Sequence, residues 1–461
     1  MKHKIKKIHF IGIGGVGMSG IAEVLHNLGY VVSGSDAGQS YNTDRLISLG
    51  MRVAICHAAE NVQDVDVIVA STAIDKSNPE IVYGIANRIP IVPRAQMLAE
   101  LMRFKYGIAI AGTHGKTTTT SLAAEVLKEC KLDPTFVIGG KLATTGSNAK
   151  LGTGEYLVAE ADESDASFLL LNPMISVITN IDLDHMDTYE HSEEKLKEAF
   201  IKFVSQLPFY GRAIVCAEDS RIVEILPRLN RPYTTYGLDA RSDIYATNIV
   251  AQAGKMSFTV RLRNSDISYP ITVNMPGIHN VLNSLAVIAV ALECEGKFED
   301  IARGLANFNG VGRRCQYYPD INHDGKVAKL IDDYGHHPVE LKATISALKG
   351  AYPDKRMVLI FQPHRYTRTR DLFDEFVSIL SKVDYLILTE VYAAGEKPLT
   401  MADGKSLVKA IRAQGHDNVI FVETLDEAKE KLFNVMLDGD LVVTMGAGSI
   451  GKLPAQLTSS N

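Results

Sequence analysis

Short apolar runs alternate with amphipathic stretches along most of the chain, which predicts buried parallel strands covered by helices. Ile8–Ile13 reads as a first strand running into glycines. A helix near Met18–Leu28, strands over Tyr30–Ser35, Val65–Ala70 and Ile89–Val92, and a helix over Ala95–Arg103 complete a first block. The second block opens with the strand Tyr106–Ala111 and a helix from Lys116 to Lys128. Strands at Tyr156–Glu160 and Ile175–Asn180 follow, then an amphipathic helix over Glu193–Leu207. Residues 243–275 alternate as antiparallel strands do, ahead of helices over His279–Leu292 and Phe298–Asn307. In the third block, strands at Met357–Phe361, Tyr385–Leu388, Val419–Phe421 and Leu441–Met445 are separated by helices near Pro338–Leu348, Asp371–Leu380, Gly404–Arg412 and Leu425–Val435. The pattern predicts an α/β protein of three domains, residues 1–104, 105–311 and 312–461.

Composition changes this picture little. A length of 461 residues, with 46% hydrophobic and 22% charged positions, suits several buried cores. A formal net charge of −6 argues against nucleic-acid binding and against a membrane-surface role, both of which favour a basic bias. The basic start is followed by an apolar run broken at once by glycines, so it reads as a strand and not a signal peptide. No stretch approaches the roughly 18 apolar residues of a membrane span. Cys56, Cys130, Cys216, Cys294 and Cys315 are scattered without a Cys-x-x-Cys pair, as reduced thiols of a cytoplasmic protein are.

Candidate chemistry concentrates where strands meet helices. Gly112-Thr113-His114-Gly115-Lys116-Thr117 lies between a buried strand and a threonine-rich helix start. Glycines let successive N–H groups turn toward phosphate oxygens, and the helix N-terminus adds partial positive charge. Lys116 is placed for the β- and γ-phosphates of ATP and the Thr117 hydroxyl for magnesium, with manganese as an alternative. The general pattern asks for a glycine at 110, where this chain has Ile110; a tight turn with an incidental lysine is the bland reading. The carboxylates of Glu160–Asp165 follow a buried strand and are costly together unless a cation or solvent neutralises them, so Glu160 is a candidate metal ligand. His185 follows the next strand, in the acidic company of Asp184 and Asp187, and is a candidate for a second metal; structural histidines are commoner.

Gly12, Gly14, Gly15 and Gly17 also join a strand to a helix, with Asp36 at the end of the next strand. Alone, this fingerprint suits an NAD-dependent oxidoreductase with Asp36 on a ribose hydroxyl. Beside a separate ATP loop, it suits a nucleotide diphosphate carried by a substrate.

Taken in order, Gly12–Gly20, Gly112–Thr120, Glu160–Asp165, Asn180–Asp187, Gly277–Asn283, Gly312–Cys315, Asp332–Pro338 and Pro363–Thr369 resemble the motifs of the Mur ligase family from about residue 8 to residue 451. The resemblance implies an N-terminal Rossmann-like domain, a central P-loop ATPase-type α/β domain and a C-terminal Rossmann-like domain. It also accounts for Ile110, because that family's loop begins at the glycine corresponding to Gly112. Carried over, Gly12, Gly14, Gly15 and Gly17 match diphosphate contacts of a UDP-sugar, with Ser71, Thr72 and Arg94 as looser candidates on its uridine side. Gly112, Thr113, His114, Gly115, Lys116, Thr117 and Thr118 form the ATP loop. Thr117, Glu160 and His185 match metal ligands, Asn280 and Asn283 adenine-side contacts, and Arg314 and Asp333 nucleotide contacts from the third domain. Lys202 lies roughly where other members carry a carbamylated lysine, and no such role is assigned to it.

Tyr334, His336, His364, Arg365 and Arg368 match the surroundings of the amino acid in the alanine-adding branch. Two guanidinium forks on one loop suit carboxylate recognition; a basic surface loop is the bland alternative. The implied reaction joins L-alanine to the lactyl carboxylate of UDP-N-acetylmuramate through an acyl phosphate, in peptidoglycan precursor synthesis. Lys116, His336, Arg365 and Arg368 are its catalytic candidates, and the enzyme is expected as a monomer or weak homodimer. The rivals are a tripeptide-adding recycling ligase of the same family and the oxidoreductase.

Overall fold

The computed structural model describes residues 1, 4–71, 74–140, 142, 147–252 and 254–458. They divide into two compact units, Met1–Asn248 with Phe258–Ile271 and Leu282–Asn309, and Ile249–Ser257 with Thr272–Val281 and Gly310–Asn461.

Among the described residues, the first unit opens on a five-stranded parallel sheet. Its strands are β1 (Lys7–Ile11), β2 (Val31–Ser35), β3 (Arg52–Ala54), β4 (Val67–Ala70) and β5 (Ile91–Pro93), in the order β3-β2-β1-β4-β5. Ile11 pairs with Ser35 on one side and Ala70 on the other. The chain therefore reverses its winding at β1, which opens a crevice beyond the carboxyl ends of the strands. The turn Gly12–Gly15 lies there and leads into the helix Val16–Asn27.

Among the described residues the second sheet has ten strands: β6 (Tyr106–Ala111), β7 (Thr135–Val137), β8 (Ala149–Lys150), β9 (Tyr156–Glu160), β10 (Ile175–Ile178), β11 (Arg212–Cys216), β12 (Tyr233–Gly237), β13 (Ile244–Gln252), β14 (Lys255–Leu262) and β15 (Ser268–Val273). The order is β15-β14-β13-β12-β11-β10-β6-β9-β7-β8. β6 is fully buried beyond Tyr106 and sits between β10 and β9. Ile110 pairs with Glu160 and Ala111 with Ile178, so the Gly112 loop, the acidic turn and the segment leading to His185 leave the sheet at one edge. The helix Lys116–Glu129 follows the loop.

The second unit carries a six-stranded sheet of β16 (Gln316–His323), β17 (Lys326–Asp333), β18 (Met357–Phe361), β19 (Tyr385–Thr389), β20 (Val419–Val422) and β21 (Leu441–Met445), ordered β16-β17-β21-β18-β19-β20. Asp333 and Phe361 both pair with Met445, which brings segments 333–337 and 362–368 out at the same sheet edge.

The apolar periodicity located most elements to within a few residues. Among the strands it missed β3, β7, β8, β11, β12 and the β16–β17 hairpin. β16 shows why: only Ile321 is buried, Pro319 stands inside it, and its register shifts between Tyr318 and Ile321. An edge strand of this kind has no periodic signature and tolerates proline. The five cysteines are free thiols, and no helix among the described residues is long and apolar enough to cross a membrane.

Candidate active site

In the first unit, Gly115 precedes the helix Lys116–Glu129 with φ +85, a left-handed conformation. A side chain there would also stand 2.8 Å from Asn283 Oδ1, so glycine is required twice over. Asn283 accepts a hydrogen bond from Thr119 Oγ1 at 3.1 Å, which ties it to the first turns of that helix. The loop itself is held by Asn180, whose Oδ1 accepts from His114 N at 2.8 Å while its Nδ2 donates to His114 O at 2.9 Å. Thr113 Oγ1 accepts from Asp182 N at 2.8 Å, and the His114 ring lies 3.0 Å from Asp182. Thr118 is buried within the helix.

Lys116 Nζ donates to Gly112 O at 2.7 Å, to Thr113 O at 3.1 Å and to Glu163, whose carboxylate oxygens lie 2.9 and 2.8 Å away. Burial works against the ammonium, but Glu163 outweighs it and lifts its pKa above the ordinary lysine value. For Glu163 burial wins over the pull of Lys116, and its pKa rises to about 7. Thr117 Oγ1 donates to Glu160 Oε2 at 3.2 Å, and Gly139 N donates to Glu160 Oε1 at 2.6 Å. A hydroxyl and a carboxylate this close form the hard oxygen set that magnesium prefers. His185 caps the short turn Met186–Tyr189 with φ +55, and its Nε2 is 3.4 Å from Asp184. Lys202 is exposed on the last turn of the helix Glu193–Ser205.

The N-terminal glycine turn belongs to the same unit. Gly17 faces Arg94, so close that an added Cβ would stand 3.0 Å from a guanidinium nitrogen, and Gly12 lies against Ser71. Thr72 lies outside the described residues. Arg94 Nη2 is 3.4 Å from Asp162 Oδ2, an ion pair linking the two α/β blocks. Gly15, Gly17, Ser71, Arg94, Lys116, Gly139, Glu160 and Asp162 line one cavity of about 330 Å³. Asp36 differs from the expected ribose ligand: its Oδ2 accepts from Gly14 N at 2.8 Å and its Oδ1 from Gly38 N at 3.3 Å. The carboxylate closes the turn on its own main chain, which weakens the dinucleotide reading.

In the second unit, Asp333 is buried and accepts from Cys315 N and Gly335 N, each at 2.8 Å. Arg314 lies over the Tyr334 ring, 5.2 Å from its centroid, and 3.8 Å from Glu340. Asn280 Nδ2 donates to Pro276 O at 2.7 Å. Tyr334, His336 and His364 form an aromatic run with centroid spacings of 5.5 and 5.6 Å. Burial, with Arg368 and Arg314 nearby, holds the His336 pKa below the ordinary value. Burial, followed by His336, Arg368 and Arg365, lowers that of His364 to about 4. His336 Nδ1 faces two acceptors, Tyr334 O at 3.2 Å and Glu340 at 3.4 Å, so the neutral ring keeps its lone pair on Nε2.

The arginine pair is not on one loop. A short helix, Tyr366–Asp371, begins inside the motif. Arg365 caps it with φ +70 and is exposed, while Arg368 is buried and donates to His364 Nδ1 at 3.3 Å. Thr367 anchors that helix to Glu396 through both its N–H and its hydroxyl. Sequence reasoning also passed over Glu163, Asp162, Asn180 and Glu340 as individual side chains. The first three lay inside motifs already singled out, but only the fold shows which partner each meets.

The three Mur ligase models match in succession: the catalytic domain model over residues 7–106, the middle domain over 110–291 and the glutamate ligase domain over 313–448. The chain belongs to the Mur ligase family. It is 58% identical to the UDP-N-acetylmuramate–L-alanine ligase of Chromobacterium violaceum over 461 residues, covering 100% of this chain and 99% of that one. It is equally 58% identical to the enzyme of that name from Neisseria meningitidis serogroup A, covering 99% and 98%. Among solved structures, UDP-N-acetylmuramate-alanine ligase from Thermotoga maritima superposes with a TM-score of 0.83 at 30% identity, covering 98% of each chain. A murein peptide ligase from Psychrobacter arcticus gives 0.71 at 24% identity over 99% of each, a likeness of fold.

Proposed function

We infer that this chain is an ATP-dependent ligase that joins L-alanine to the lactyl carboxylate of UDP-N-acetylmuramate, a step of peptidoglycan precursor synthesis. The observation that carries the reading is the cavity where Gly15, Gly17 and Arg94 share walls with Lys116 and Glu160, in a chain related along its whole length to alanine-adding ligases. A nucleotide-sugar diphosphate suits the glycine turn and the guanidinium; a triphosphate suits the loop and its lysine.

A carboxylate resists attack because the nucleophile would add charge to an anion. Transfer of the γ-phosphoryl group of ATP to that carboxylate gives an acyl phosphate, and attack by the alanine amine then expels phosphate and leaves an amide. Lys116 offsets charge on the transferring group. Magnesium, or manganese in its place, would be held by Thr117 and Glu160, with His185 as a ligand of a second ion, and would supply charge neutralisation at the phosphates. His336, neutral at pH 7 with its lone pair on Nε2, suits orienting or deprotonating the amine. Arg365 and Arg368 suit the alanine carboxylate, with Tyr334 and His364 completing that pocket. Asn280, Asn283, Arg314 and Asp333 are assigned to the nucleotide. The assignment divides the chain at residues 1–104, 105–311 and 312–461 and takes it as a cytoplasmic monomer or weak homodimer.

The deciding assay is phosphate release from ATP. It is expected only with UDP-N-acetylmuramate and L-alanine together. Release with a preformed tripeptide in place of alanine would favour the recycling ligase, and release without any acceptor would remove the ligase reading.

A further inference from the structure

Glu163 has no part in the mechanism above, yet it is the charged partner of the lysine on which that mechanism depends. An ammonium has three N–H donors. Those of Lys116 are directed at Gly112 O, Thr113 O and the Glu163 carboxylate. A phosphate oxygen that binds Lys116 must take over one of these. The two carbonyls belong to the same tight loop as the lysine, whereas Glu163 approaches from the acidic turn 47 positions further on. The carboxylate is therefore the partner that yields.

Its position is set from outside the phosphate loop. Tyr189, buried in the turn after His185, donates its hydroxyl to Glu163 O, and Thr188 Oγ1 donates to Ser164 O at 2.6 Å. The turn that carries His185 is thus bolted to the turn that carries Glu163. Glu163 itself is almost wholly buried, its side chain 4% exposed. A buried carboxylate facing an ammonium stabilises it strongly, and the same carboxylate facing a polyphosphate repels it.

We propose that Glu163 is an internal counter-ion that stands in for a nucleotide phosphate on Lys116 and must be displaced by it, so that the chain carries a built-in competitor for its own ATP site. The proposal rests on the assignment of the Gly112–Thr117 loop to ATP. It makes Glu163 a positioning residue: it keeps the lysine aimed across the loop, weakens nucleotide binding, and returns to the lysine as phosphate leaves.

The test is ATP affinity by calorimetry on the full chain in EDTA, so that no divalent ion bridges the phosphates to carboxylates, at a pH well above the Glu163 pKa of about 7 so that the carboxylate is ionised. Glu163→Gln keeps the shape and removes the charge. It is expected to tighten ATP binding about five-fold or more, since a buried like charge facing the phosphates is lost. Glu163→Asp, with its carboxylate withdrawn by one methylene, should fall between wild type and Glu163→Gln, and it reads the same quantity if the glutamine variant does not fold. In a Lys116→Ala background, Glu163→Gln should tighten binding by less than half as many fold, because the competition runs through the lysine. Unchanged or weaker ATP binding in a folded Glu163 variant overturns the proposal, since a strut that merely supports Lys116 predicts weakening. An equal gain in the Lys116→Ala background overturns the competition for the lysine. Absence of ATP binding by wild type when magnesium is restored would remove the ATP assignment as well, a separate outcome read from a second titration.

Discussion

The first unit builds a strand, a glycine turn and a helix twice, at Gly12–Gly17 and at Gly112–Lys116, and it stabilises the two turns by different means. At the first, side chains and a main-chain carbonyl from neighbouring elements satisfy the main chain. Asp36 accepts from Gly14 N, Asn42 donates to Gly14 O at 2.8 Å, and Ser35 O accepts from Gly12 N and Ile13 N. Ser35 is in turn held by Glu80, a buried carboxylate 2.6 Å from its hydroxyl. At the second, Asn180 grips the loop, and the charged groups are turned on one another: Lys116 on Glu163, Thr117 on Glu160. Glycine spacing alone therefore identifies a turn that admits phosphate. What the turn can do is decided by the charges around it. The first offers main-chain dipoles and one arginine, which suits holding a diphosphate; the second offers a lysine and hard oxygen ligands, which suits moving a phosphoryl group.

The contrast breaks most sharply at Lys116. Lys116→Ala should lower kcat by about 10³-fold, as loss of a charge at the transferring group does, while the Kd for UDP-N-acetylmuramate stays within about two-fold. Activity within tenfold of wild type would mean the second turn is no more catalytic than the first. Glu160→Gln should lower kcat about 10²-fold at fixed magnesium and recover partly as magnesium is raised, since one oxygen ligand is weakened. Absence of any shift in the magnesium titration would take Glu160 out of the metal site. On the other turn, Gly14→Ala introduces a Cβ 2.9 Å from Asp36 Oδ2 and 3.1 Å from both Ser40 Oγ and Thr43 Cγ2. The KM for UDP-N-acetylmuramate should rise about tenfold with the KM for ATP nearly unchanged, and equal rises in both would erase the division of labour.

The smallest effect is on stability. Burial pushes the Glu80 carboxyl up, but the His9 ring 3.6 Å away and hydrogen bonds from Ser35 and Asn61 outweigh it and bring the pKa to about 2. A folded pKa below the unfolded value stabilises above about pH 4.5, and that contribution fades as pH falls toward 2. It is worth up to about 3 kcal/mol. Wild type should therefore lose more thermal stability between pH 4.5 and pH 2 than Glu80→Gln does. Parallel losses would show that Glu80 does not buttress the first turn through its charge.

Much of the site was legible because its requirements are local. Gly115 needs φ +85 and leads a helix whose next residues are Lys116 and Thr117, so turn, charge and hydroxyl arrive together in one short segment. The acidic turn was legible as unusual, but a run of carboxylates does not reveal which of them meets which partner. Glu160 meets Thr117, Asp162 meets Arg94 and Glu163 meets Lys116. Asp36 misled for the same reason, since its spacing suited a ribose and its actual partner is Gly14 N. The arginines followed suit: a helix starting at Tyr366 exposes Arg365 and buries Arg368, a split that motif spacing does not encode.

By itself, then, the sequence determined the three α/β blocks, the two glycine turns and the residue types gathered at each strand end, because apolar periodicity and backbone conformation are properties of neighbours along the chain. The tertiary structure alone decided that β6 lies between β9 and β10, and with it that the two turns share a cavity and that Lys116 meets Glu163. Parallel sheets are assembled from segments far apart in the chain. Buried charges at their edges must be paired to offset desolvation, so each partner is set by strand order and register and not by distance along the sequence.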